Sequence, residues 1–307
     1  MQQASPSEIT TQRITMVQQM RLLKDLFTAR NLYAWSVGVT AGGVVGTVGL
    51  GGAQVVIPCL TASSLPGNVA SYSQLAATGI SLSSLSISTI SSGFNFWKEN
   101  KVHIPLALAI GIPAVVAARL GTNVARRISH DALALFFNGF SIILMPTHYY
   151  IQHRKSNIMP EKEDLRSSNN HQAGYEPTAT ILLQHSGYGF FSGILSALMG
   201  VGGLPITISY LTVSTDLHHH TIQGTAVCSL IPAILVSAAS RWSVVPVQPA
   251  LFAAAGAVLG SYAGSHFALH LDEDRLRQLY MGSLVLFGSR SVYGAIANLR
   301  NILRARK

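Results

Sequence analysis

The chain has 307 residues, of which 49% are hydrophobic and only 11% charged, with a mean hydropathy of +0.36. Soluble domains carry roughly a quarter charged residues, so this composition excludes an ordinary soluble domain and calls for a large membrane-embedded fraction. The net charge of +9 does not mark a nucleic-acid binder: the 21 Lys and Arg residues lie almost wholly between and outside the apolar segments, with no basic helix interleaved with aromatics.

Residues 1–33 form an arm with Arg13, Arg21, Lys24 and Arg30 against Glu8 and Asp25. It has no apolar core followed by a small-residue cleavage site, so a cleaved signal peptide is not expected, and a cytosolic lead-in is. Crossing the ~30 Å hydrocarbon core takes about 20 apolar residues as helix. The first half offers such segments at 34–62, 70–92, 104–122 and 132–151, the second at 180–214, 223–242, 249–270 and 276–297. Between the halves, the polar stretch 152–178 reads as a cytoplasmic linker, and 298–307 as a basic tail. The predicted fold is an all-α polytopic membrane protein of about eight transmembrane helices. Repeat 1 covers 34–151 and repeat 2 covers 179–297.

The opening segment of each half is too long for one simple span and carries a glycine cluster. Gly49-Leu50-Gly51-Gly52 and Gly200-Val201-Gly202-Gly203 stand 151 residues apart. Glycine accepts positive φ, so it lets a helix break and leaves backbone groups open to a ligand. Inside a bilayer such groups persist only within protein or along a water-filled cavity. Paired breaks in matching halves are the best pointer in sequence to a transporter's binding site. Further correspondences support a duplication. Asp131, Leu133, Phe137 and Gly139 match Asp274, Leu276, Tyr280 and Gly282 at a constant offset of 143, and Gly121 matches Gly264.

Orientation follows from the basic residues in loops. With eight crossings, 15 Lys and Arg residues fall on the side of both termini and 4 on the other, which predicts cytoplasmic termini. If each opening segment instead doubled back, Lys98, Lys101 and the linker would change sides and the count would be 11 against 8. The first arrangement is expected.

The chain resembles the sulfite exporter TauE/SafE family of membrane permeases, in which each half opens with a G-x-G-G element, an L-P-P-H-like loop and a G-T-S-like helix start. Here the loops are Leu65-Pro66-Gly67-Asn68 and Leu217-His218-His219-His220. The helix start is Gly224-Thr225-Ala226 in the second half and a degraded Tyr72-Ser73-Gln74 in the first. The resemblance implies movement of a small anionic solute, of sulfite or organosulfonate type, with a proton or sodium as a coupling ion and no cofactor. Independently of it, the N-terminal end of a half-helix carries about half a positive charge and unpaired N–H donors, an anion site that needs no arginine. The candidate substrate-binding residues are Gly49, Gly51, Gly52, Gln54, Ser73, Gly200, Gly202, Gly203 and Thr225.

Other signals have plainer readings. Ser81, Ser83, Ser84, Ser86, Ser88, Ser91 and Ser92 line a pathway or simply pack helices closely. His218, His219 and His220 are consecutive and cannot converge on one ion from a helix. Arg119 and Arg290 fall inside spans and can snorkel; His148 and His266, toward span ends, either relay protons or sit at the interface. Cys59 and Cys228 form no disulfide or metal pattern. A second reading is a non-transporting scaffold or receptor derived from the same family, with Tyr72 and Gln74 at altered motif positions. An ion channel would need four filter loops where Thr47-Val48-Gly49-Leu50-Gly51 supplies one, and no catalytic motif supports an intramembrane enzyme.

Overall fold

Apolar blocks separated by short polar breaks fold, in the computed structural model, into helices alone among the residues described: 28–62, 72–129, 131–140, 142–143 and 178–305. In chain order these are α1 Ala29–Val48, α2 Ala53–Thr61, α3 Gln74–Lys98, α4 Ile104–Ala125 and α5 Asp131–Phe140. The second half follows with α6 Ala179–Met199, α7 Leu204–Ser214, α8 His219–Ser240, α9 Val247–Leu269 and α10 Glu273–Ala305. A 3-10 turn at Trp242–Val244 joins α8 to α9. Most of the N-terminal arm, the loop Leu65-Pro66-Gly67-Asn68, His148 and nearly all of the linker lie outside the described residues.

The burial pattern suits a lipid environment. On α4, Ile104, Leu108, Ile112, Val116, Leu120 and Val124 recur every fourth residue and are all exposed, while Leu106, Ile110, Ala114, Ala117 and Ala118 on the other face are fully buried. An exposed apolar ridge running the length of a helix would be costly against water and costs nothing against acyl chains. By length and composition, α4 and α8 are each able to cross a membrane.

Glycine spacing sets the helix pairs. On α1, a Cβ at Gly38 would overlap the Ala253 carbonyl, one at Gly42 that of Ala257, and one at Gly46 that of Ser261. From α9, Gly256, Gly260 and Gly264 approach the backbone of Trp35, Val39 and Gly43 in return. The same contacts recur between α6 and α4: Gly189 against Ile110, Gly193 against Ala114, and Gly121 against Ile194. Each partner is shifted by 151 residues on the first helix and 143 on the second. Thus the first helix of each half packs along the third long helix of the other half, with backbones in direct contact.

The structure corrects the expected path of the opening segments. Neither makes one broken crossing; each doubles back. A Cβ at Gly52 would lie 3.1 Å from the Ala41 side chain, and the Tyr33 hydroxyl donates to the Cys59 carbonyl at 3.1 Å, so α2 runs back along α1. Tyr188 stacks on Tyr210 with ring centroids 3.6 Å apart, and Ser192 meets Thr207 at 3.1 Å, so α7 runs back along α6. At 9 and 11 residues, α2 and α7 are far shorter than the ~20 residues a crossing takes. In consequence α1 and α3 start at the same end, where the Arg30 side chain bonds the Tyr72 hydroxyl. Lys101 lies at the opposite end, its carbonyl against Gly224, close to where the His219 amide donates to Glu273. The grouping of Lys98 and Lys101 with the N-terminal arm is therefore overturned.

Candidate functional site

Both long opening helices end on a glycine in the left-handed region. Gly49 has φ 70° and its amide bonds the Val45 carbonyl; Gly200 has φ 73° and bonds Ser196. Any other residue would carry strain there. After this shared step the two breaks diverge. Gly202 and Gly203 also take positive φ, at 77° and 72°, whereas Gly52 is right-handed at φ −55°.

The breaks meet. A Cβ at Gly51 would overlap the Val201 carbonyl oxygen, so the two backbones touch where α2 and α7 begin and run off in opposite directions. Their N-terminal ends, each the positive end of a helix dipole, thus lie together inside the protein. The surrounding residues Val48, Leu50, Ala53, Val201 and Leu204 are all buried.

The end of each long helix is held by a polar side chain from the second long helix of the opposite half. Gln223 donates from Nε2 to the Gly46 carbonyl at 3.1 Å and packs on Gly49. Thr78 packs on Gly200, and the neighbouring Ser81 donates to the Gly200 carbonyl at 3.1 Å. Arg241, fully buried, donates to Thr78 Oγ1 at 2.6 Å and to the Ala197 carbonyl, supplying a cation at the negative end of the α6 dipole. Sequence reasoning missed Gln223, Thr78 and Arg241. The only signal was a polar residue within an apolar helix.

These contacts also correct the pairing of the helix-start motifs. Gly224 packs against Phe96 and the Lys101 carbonyl; Gly79 packs against Arg241 and Val245. The first-half counterpart of Gly224-Thr225-Ala226 is therefore Gly79-Ile80-Ser81 and not Tyr72-Ser73-Gln74. Ser73 caps α3 by accepting from the Ala76 amide at 3.3 Å, and Thr225 accepts from the His103 amide at 2.9 Å. The two hydroxyls lie at opposite ends of the bundle, so the structure does not bring them together. The serine run mostly bonds its own helix: Ser83, Ser84, Ser86, Ser88 and Ser92 all donate to carbonyls three or four residues back.

Of the candidate side chains, Gln54 alone opens into a described cavity. This cavity has a volume of about 440 Å³ and lies between α2, the start of α3, α5 and α10. Gln54 and Gln74 are buried within it, and Asp131, Asn138 and Arg290 also line it. In the second half Tyr280, the counterpart of Phe137, is fully buried and donates to the Pro205 carbonyl at 3.2 Å, with Ser209 3.4 Å away. The expected loop Leu217-His218-His219-His220 is in part helix: His218 is the N-cap of α8, and His219 and His220 lie in its first turn. His220 bonds the Ala268 carbonyl at 3.1 Å and the His219 ring stands edge-on to Tyr280.

Comparison with known proteins gives two matches. The sequence pattern of the family described as Sulfite exporter TauE/SafE matches residues 34–291. A protein of Bacillus subtilis (strain 168) named "Probable membrane transporter protein YdhB" is 24% identical over 192 residues, covering 62% of this chain and 69% of that protein. No solved structure matches.

Proposed function

The chain belongs to the sulfite exporter TauE/SafE family, a family of membrane transporters, and from that premise we propose that it moves small anions of sulfite or organosulfonate type by alternating access. The cargo binds where the two glycine breaks meet. The helix starts at Ala53 and Leu204 supply positive dipole ends, Gly49, Gly51, Gly52, Gly200, Gly202 and Gly203 allow close approach to the backbone, and Gln54 contributes a side-chain donor. The helices form two repeats, each opening with a hairpin of one long and one short helix. One repeat rocks against the other, and a proton or sodium gradient drives the cycle. Both termini are cytoplasmic, which agrees with the 11-to-8 distribution of basic residues for a doubled-back path.

The observation that carries this reading is the contact between Gly51 and Val201, because it joins two helix N-termini inside the protein among buried apolar residues. The test is flux into proteoliposomes holding purified protein, using labelled sulfite, sulfate and taurine with and without a pH gradient. Saturable flux of one of these anions is expected. Absence of flux for all three, from protein shown to be folded, would end the reading.

A further inference from the structure

The geometry points to an anion-recognition site in the cavity beside Gln54, with Arg290 as its charged anchor and Asn138, Gln74 and Gln54 as neutral donors. Arg290 lies near the middle of the 33-residue α10, facing a cavity of about 440 Å³. Among the described residues no carboxylate forms an ion pair with it: the ion pairs of α10 and its lead-in are Arg275 with Asp272 and Arg277 with Glu273. An exposed guanidinium at the rim of a polar cavity, with no ion-pair partner among the described residues, is placed to engage an anion.

The walls supply the rest of the chemistry. Gln54 and Gln74 are 6% and 3% exposed and Ser291 is 4% exposed, so amide and hydroxyl groups line the depth of the cavity while Arg290 stands exposed nearer its mouth. The Asn138 amide packs on Gly294, where a Cβ would lie 3.0 Å from it, so α10 leaves room at that position for the amide to face the cavity. Asp131, exposed at the start of α5, also lines the cavity, so its charge set is one planar cation and one carboxylate among neutral amides. The guanidinium can engage two oxygens of a singly charged oxyanion such as a sulfonate or hydrogen sulfite at once. Gln54 then links this site to the glycine break that follows Val48. The cavity is thus a first recognition site on the way to the breaks. Its existence does not depend on transport, although the choice of cargo rests on the transport reading.

The test measures methanesulfonate binding by calorimetry to the full-length protein in nanodiscs of zwitterionic phosphatidylcholine, and again with phosphatidylglycerol added. Wild-type protein is expected to bind saturably in both. R290Q is expected to weaken binding about tenfold or more, R290K to retain most of it, and N138A to weaken it less than R290Q. Binding by folded R290Q equal to wild type would overturn the proposal. So would competition by phosphatidylglycerol together with loss of bound phosphatidylglycerol in R290Q, which would assign Arg290 to lipid headgroups. If R290Q fails to fold, N138A and Q54A read the same cavity, and unchanged binding in both overturns it. Binding without flux would end the transport reading and leave this site standing; flux without Arg290-dependent binding would do the reverse.

Discussion

Gly51 and Val201 stand backbone to backbone, so close that a methyl group on the first would overlap the carbonyl oxygen of the second. This contact joins the two glycine breaks directly, and it fixes where α2 and α7 begin relative to each other. Any side chain at position 51 must push the breaks apart.

Gly51→Ala should therefore impair both stability and flux, because the obstruction is backbone and cannot rotate away. Gly202→Ala meets only the Ile234 and Leu85 side chains, at 3.2 and 3.3 Å, but must hold φ 77°. It should cost about 1–3 kcal/mol through strain at that dihedral. Thermal melts in detergent paired with flux assays check both. Wild-type behaviour of Gly51→Ala would show that the breaks separate without consequence.

The α1–α9 and α4–α6 pairs yield a matched set. Gly42→Ala and Gly193→Ala each drive a Cβ into a facing carbonyl and should lower the melting temperature in parallel. Gly43, beside Gly42, has nothing within 4 Å of a built Cβ. Gly43→Ala should be neutral or stabilising by up to about 1 kcal/mol, from helix propensity alone. Equal losses at positions 42 and 43 would refute the packing account.

The breaks themselves were legible because only glycine accepts the φ values at positions 49 and 200, so sequence and backbone carry the same information there. The long helices were legible from their apolar length. The return of α2 and α7 was not, since Ala53–Thr61 and Leu204–Ser214 are as apolar as a continuing span; direction is set by packing against Ala41 and Ser192, which composition does not encode. The helix-start motif slipped for a related reason. Tyr72-Ser73-Gln74 sits at a helix start as expected from a motif, but the position that must be small is Gly79, and its neighbours Arg241 and Val245 come from the other half. Arg290 was read as snorkelling because one helix alone does not reveal the cavity completed by α2, α3 and α5.

Arg241→Met keeps much of the side-chain volume and removes every donor. The Ala197 and Leu198 carbonyls at the end of α6 would lose their cation, and Thr78 Oγ1 its donor at 2.6 Å. The expected loss is about 1–3 kcal/mol, read as a lower melting temperature. An unchanged melt would mean that water or a neighbouring group takes over the cap.

The doubled-back path predicts sidedness. With Cys59 and Cys228 replaced by serine, Lys101→Cys should react with a membrane-impermeant maleimide from the side opposite a C-terminal tag. Arg126→Cys, whose native side chain bonds the Ser240 carbonyl at the other end of the bundle, should react from the tag's side. The reverse pattern, with Lys101→Cys labelled from the tag's side and Arg126→Cys from the opposite side, would restore the single-crossing arrangement.

The cavity beside Gln54 in the first half and the buried Tyr280 beside Ser209 in the second predict which side chains are accessible in this conformation. Gln54→Cys lines a cavity of about 440 Å³ whose mouth carries exposed Tyr293, at the end where α3 and α5 begin. Ser209→Cys lies behind Tyr280, whose hydroxyl is bonded to Pro205 and whose ring is fully buried. In the cysteine-free background, Gln54→Cys should be labelled from the side of the C-terminal tag and protected by methanesulfonate, while Ser209→Cys stays unreactive. Tyr280→Ala removes the plug and should expose Ser209→Cys to reagent from the opposite side. If Ser209→Cys remains unreactive after that change, Tyr280 is ordinary core packing and the second-half path is closed by other residues.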